Sequence, residues 1–288
     1  MNVSCVTASY VADLLGYPGE IDWELASETI ASFQYEGKQS DSFQYEGELY
    51  SPGSGSGRSP MLEVIDGILD RLAPAGLDGI EFWYPHVWPA NITPALASEI
   101  RRRLSARGMV CCVCAGSVED PSEDLYSCEE LFQTACLLRA PLIAGHMEAR
   151  SVPQLGALCA RYGVRVAYEN GAEKDASQIL TVIQGGGEWV GANIDTGNLA
   201  AQGGDPVRAV RELGERIMHV HFKDVPAVGS HECVALGEGI VDVAGVIREL
   251  RSCGYDGWLS IEIEIGDHDP TEEVLRSAET VRRLWGRS

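Results

Sequence analysis

The chain has 288 residues and a formal net charge of −21, with 45% hydrophobic and 23% charged residues. That is the composition of a globular protein in water, and the acidic surplus argues against a nucleic-acid partner, which needs Lys and Arg in excess on its contact face. No apolar run approaches the ~20 residues of a membrane span, no secretion signal is read at the start, and nine cysteines that form no disulfide framework fit a reducing cytoplasm.

In chain order, 3–8 (VSCVTA) reads as a first strand. The stretch 31–60 breaks the pattern. SFQYEG occurs at 32–37 and again at 42–47, and SPGSGSGRSP follows with the composition of a flexible linker. It is expected to be a loop insertion, either disordered or a lid. From residue 60 onward, short β-rich runs alternate with amphipathic stretches. Strands are expected at 78–84, 109–115, 141–146, 164–169, 190–195, 217–223 and 258–264. Helices are expected at 61–73, 93–107, 123–138, 152–162, 175–184, 206–214, 241–253 and 271–285. Asp205 before Pro206 marks one helix start; Gly108, Gly163 and Gly254 mark helix ends. Cys111, Cys112 and Cys114 read as core residues of one strand, with alternation setting Cys111 opposite the other two. Eight strand–helix units predict a single (β/α)8 TIM barrel over residues 1–288, with the 31–60 insertion between its first strand and first helix.

Side chains of barrel strands alternate between the interior and the helix layer. In VRVAYE, Val164, Val166 and Tyr168 share an apolar face, so Glu169 points inward. By the same parity Asp195 of VGANID, His219 and His221 of IMHVHFK, and Glu262 and Glu264 of WLSIEIE point inward. Four adjacent strands each deliver an ionisable group to one rim. Carboxylates gathered there repel unless a cation neutralises them. Three oxygens and one nitrogen form a hard site for a divalent metal ion, with Mn2+ preferred and Mg2+, Co2+ or Zn2+ as alternatives.

The motifs VAYENG, ANIDTGN, HVHFKD, LGEG and GYDGWLSIE resemble those of the sugar phosphate isomerase/epimerase family, the xylose isomerase-like barrels. The resemblance covers about residue 60 to the end, plus the first strand. It implies metal ligands Glu169, Asp195, His221 and Glu262, with His221 matched because it opens H-x-K-D. His219 is expected one layer deeper. Some epimerases of the family carry His at the position of Asn198, and an amide cannot carry a proton at neutral pH.

The candidate substrate contacts are Glu81, His146, Asn198, Lys223 and His231. Glu81 is expected either to hold a hydroxyl or to play a structural role, and Lys223 to pair with either an acidic substrate group or Asp224. His231 precedes LGEG in a loop. His86, in WYPHVWP, belongs to an aromatic wall for a sugar face. The implied activity is isomerisation or epimerisation of a sugar or keto-sugar through an enediolate, with Glu169 and Glu262 exchanging the proton. A metal-dependent lyase, dehydratase or C-glycoside-cleaving enzyme is the first alternative, and a non-catalytic accessory or sugar-binding subunit the second. An endonuclease IV-type repair enzyme is disfavoured by the six histidines and the −21 charge. The expected partner is a small carbohydrate, with no nucleic acid and no membrane; a homo-oligomer is compatible with the sequence.

Overall fold

Eight parallel strands pair edge to edge and close on themselves. They are β1 (Asn2–Val6), β2 (Gly79–Trp83), β3 (Val110–Ala115), β4 (Leu142–Gly145), β5 (Arg165–Glu169), β6 (Val190–Asp195), β7 (Ile217–Phe222) and β8 (Trp258–Ile261). Each pairs with its neighbours in sequence, and β1 pairs with both β2 and β8, which closes a (β/α)8 barrel. The computed structural model describes residues 1–32, 43–45, 48–50 and 60–286.

The helix layer comprises α1 (Val11–Leu15), α2 (Trp23–Ser32), α3 (Pro60–Leu72), α4 (Pro94–Ala106), α5 (Leu125–Leu138), α6 (Val152–Tyr162), α7 (Ala176–Val182), α8 (Thr196–Ala201), α9 (Pro206–Leu213), α10 (Val243–Ser252) and α11 (Thr271–Trp285). Short oxygen-bearing side chains start many of them. Thr93, Asp124, Asp175, Asp205 and Asp242 each accept a hydrogen bond from a backbone N–H of the first turn, satisfying donors that have no partner within the helix. Gly163 ends α6 in the left-handed conformation, where a residue without Cβ meets no steric penalty. Among the described residues no helix is long and apolar enough to cross a membrane.

Two layers of apolar packing follow from the strand parity. Val166, Ile194, Val220 and Leu259 belong to the large core that also takes in the helices, whereas Cys112, Val113, Leu142, Ala144 and Ala167 pack together as a separate small cluster. Parity fails in β3. The β2–β3 register pairs Ile80 with Cys111 and Glu81 with Val113, so Cys112 is an extra, bulged residue. Cys114 therefore packs in the core with Cys111, not with Cys112 as alternation predicts.

The region between β1 and α3 differs most from expectation. α1 and α2 occupy part of it, and Phe43–Tyr45 pairs antiparallel with Glu48–Tyr50. The expected loop or lid at 31–60 otherwise lies outside the described residues. The last strand also ends early, at Ile261 rather than residue 264. Glu262 still continues the sheet direction, donating its N–H to the Phe222 carbonyl at 3.3 Å, and the Ile263 N–H finds Ser9 Oγ at 3.0 Å.

Candidate metal centre

One atom each of Glu169, Asp195, His221 and Glu262 lies within 4.8 Å of the others. Glu169 and Asp195 are the last residues of β5 and β6, His221 is next to last in β7, and Glu262 follows β8. Their staggered register brings four side chains to one rim. His221 Nδ1 lies 3.2 Å from Glu169 Oε1 and 3.1 Å from Glu262 Oε2. Yet Asp195 Oδ2, His221 Nδ1 and Glu262 Oε2 are buried and make no aligned hydrogen bond. Buried polar atoms almost always find partners, so three such atoms aimed at one point fit a shared cation. The hard donor set suits a divalent ion.

The charge distribution points the same way. Burial pushes Asp195 up to about 7 against the pull of Lys223, with Glu262 and Glu169 adding to the rise. Burial would also raise Glu262, but His221 and Lys223 bring it down to about 2. Desolvation opposes charge on His221 and Lys223, yet the surrounding carboxylates hold both well above their ordinary values.

Around the four residues sits a second set of bonds. Asn170 follows Glu169 directly; its side-chain oxygen accepts from Asp195 N at 2.9 Å and its amide donates to Asp195 O at 3.0 Å. This clamps the end of β5 to the end of β6. Asp195 Oδ1 caps α8 by accepting from Asn198 N at 2.7 Å, which leaves Oδ2 for the cluster. Asn193 Oδ1 accepts the His221 N–H at 3.0 Å. Neither Asn170 nor Asn193 stands out in the sequence as a functional residue. The adjacency of Asn170 to Glu169 and the inward parity that Asn193 shares with Asp195 are the signals that point to them.

Some expected substrate contacts are already engaged. Glu81 is fully buried, with Oε2 2.7 Å from His219 Nε2 and Oε1 2.9 Å from His221 Nε2. Burial would raise its pKa, but the two imidazoles hold it far below the usual carboxylate range. It lies under the cluster, tied to protein groups through both oxygens, and not at a position for a hydroxyl. Lys223 does not pair with Asp224. Its Nζ lies 2.8 Å from Glu264, 3.1 Å from Glu262 and 3.2 Å from Asp195. Asp224 instead accepts the N–H groups of Val225, Gly237, Gly239 and Val241, folding the LGEG loop around one carboxylate.

The Asn198 side chain donates to Asn170 O at 3.2 Å. His146 is exposed on the rim beside the site, with Nδ1 3.0 Å from the Glu169 carbonyl. His231 is exposed, and among the described residues no interaction links it to the cluster. His86 is buried against Thr7 Oγ1 at 3.0 Å, and burial lowers its pKa to about 3, so it is neutral. It sits at the edge of an aromatic group in which Trp83 packs edge-on to Trp23 of α2 at 5.4 Å and Tyr84 lies 5.3 Å from Trp88.

Residues 146–284 match the family described as xylose isomerase-like TIM barrels. The rhizopine catabolism protein MocC of Rhizobium meliloti is 30% identical over 145 residues, 43% of this chain and 43% of its own length. An inosose dehydratase of Lactiplantibacillus plantarum is 28% identical over 137 residues, 41% of this chain and 45% of its own. The chain thus spans about half or less of the length of the curated relatives it matches. In fold, the crystal structure of the IolI protein with a bound zinc atom superposes with a TM-score of 0.65 at 14% identity, covering 100% of this chain and 99% of that one.

Proposed function

We propose that this chain, which belongs to the xylose isomerase-like TIM barrels, is a divalent-metal-dependent enzyme that moves a proton on the carbon beside a carbonyl of a sugar or keto-sugar. The observation that carries this reading is the convergence of Glu169, Asp195, His221 and Glu262, three of which aim a buried atom without an aligned hydrogen bond (Asp195 Oδ2, His221 Nδ1 and Glu262 Oε2) into one cluster. These four residues would hold the ion, with Mn2+ the preferred occupant. When bound, it supplies Lewis-acid stabilisation of the negative charge that develops on the substrate's carbonyl oxygen.

The protein's own groups do the rest. Glu169 and Glu262 exchange the proton, flanking the site as they flank His221 Nδ1. Glu262 starts as a carboxylate, ready to accept, because His221 and Lys223 keep it ionised. Glu169, with 14% of its side chain exposed, is the more open of the two. The Trp23–Trp83 pair offers an apolar surface for the C–H face of a polyhydroxylated ring.

Returning the proton to carbon gives isomerisation or epimerisation. Expelling a β-hydroxyl from the same enediolate gives dehydration. The second outcome is favoured by the relative named an inosose dehydratase and by Asn198, whose amide cannot deliver a proton from the position where some epimerases have His. The test is incubation with neutral ketoses and keto-cyclitols in D2O, followed by NMR. Deuterium entering recovered substrate marks reversible proton transfer; an unsaturated or diketone product marks loss of water. Glu169→Gln and Glu262→Gln should each lower turnover by about 10²–10⁴-fold. Metal-loaded protein that exchanges no C–H on any of these substrates would refute the catalytic reading and leave a sugar-binding subunit.

A further inference from the structure

Glu81 starts on β2 and meets two side chains of β7, on the other side of the barrel interior. Its contacts with His219 and His221 are short, at 2.7 and 2.9 Å, and all three residues are sealed from solvent. An ionised carboxylate has only acceptors. Each Nε2 facing it therefore carries the hydrogen, which leaves Nδ1 of His221 as the ring atom that can ligate. That same Nδ1 faces Glu169 and Glu262 without an aligned partner. The three residues are near enough to hold an ion themselves, but both oxygens of Glu81 already accept a ring N–H.

We infer that Glu81 is a positioning residue: by accepting from two histidines at once it locks the His221 tautomer and ring orientation that turn Nδ1 toward the metal. This rests on the metal reading given above. His219 has a defined part in it. It engages the second carboxylate oxygen, so the buried charge is satisfied on both sides and cannot rotate away from His221.

Glu81→Gln tests the idea with little change of volume. One amide oxygen accepts from one imidazole, while the NH2 confronts the other Nε2 and drives its hydrogen onto Nδ1. Zinc affinity, measured by competition with a chromophoric chelator, should fall about 10–100-fold, and the cobalt-loaded protein should change its visible absorption. Glu81→Asp keeps the charge and should recover part of the affinity. A folded Glu81→Gln protein that binds zinc as tightly as wild type overturns the inference. If wild type binds no zinc, the metal reading falls and this inference with it; if only the variant comparison fails, the metal reading stands. Should the variant not fold, 15N NMR of wild type decides. Zinc-loaded protein is expected to show His221 bound through Nδ1 with hydrogen on Nε2, and binding through Nε2 would overturn the assignment.

Discussion

At the level of single residues, burial and crowding make the candidate ligands Asp195 and His221 hold their protons to higher pH than the free groups do. Burial raises the folded pKa of Asp195 from 3.8 to about 7. Between those values the folded, metal-free protein binds one more proton than the unfolded chain, so its stability falls as pH rises through that window. His221 is raised as well and acts in the same direction above its own ordinary value. Metal binding must release these protons. Zinc affinity should therefore climb as pH rises toward and through about 7, with proton release detectable by calorimetry in buffers of different ionisation enthalpy. A pH-independent affinity across that window would contradict the assignment of Asp195 as a ligand.

At the level of elements, a helix start and a strand end are fitted together with no space to spare. A Cβ added to Gly197, in the first turn of α8, would meet Lys223 Cγ at 2.5 Å and its Cβ and Cδ at 2.9 Å. The contact falls on the stem of the lysine, not its mobile end. Gly197→Ala should push either the Lys223 ammonium off Asp195, Glu262 and Glu264 or α8 away from its Asp195 cap. Overpacking of this kind costs about 1–3 kcal/mol. Thermal unfolding of the metal-free variant should show the loss, together with weaker zinc binding. The strands that carry the ligands were legible because Glu169, Asp195 and His221 fall on the inward parity of runs whose other face is apolar in sequence, and the one register shift among them, at Met218 of β7, lies before the ligand and leaves the alternation from His219 to His221 intact. β3 was misread because a bulge at Cys112 is a tertiary register shift with no local signature. α2 escaped because WELASETIAS has a weak apolar face, and its stabilising contact, Trp23 on Trp83, is long-range. The sequence allowed a structural role for Glu81 but not its partners His219 and His221: parity reports that a side chain points inward, not which strand it meets.

At the level of the whole molecule, a chain of net charge −21 gathers three carboxylates at one buried rim. A bound dication removes that repulsion in the folded state alone. Adding zinc at about 100 times its Kd should stabilise the protein by roughly 2.7 kcal/mol, read as a rise in Tm that a chelator reverses. A Tm indifferent to metal would count against the site.

All four candidate ligands fall within residues 146–284, at or just past the ends of the last four strands. The first half of the barrel contributes the carboxylate beneath His221 and the aromatic surface of Trp23 and Trp83. The roles of the two halves are thus partitioned. Changes among β5 to β8, or at Glu81 of β2, would alter the candidate ligands or their support, whereas changes around Trp23 and Trp83 would leave those residues in place. For directed evolution, the productive library is the one that holds the second half and Glu81 fixed and varies the surface contributed by α2 and the residues after β2.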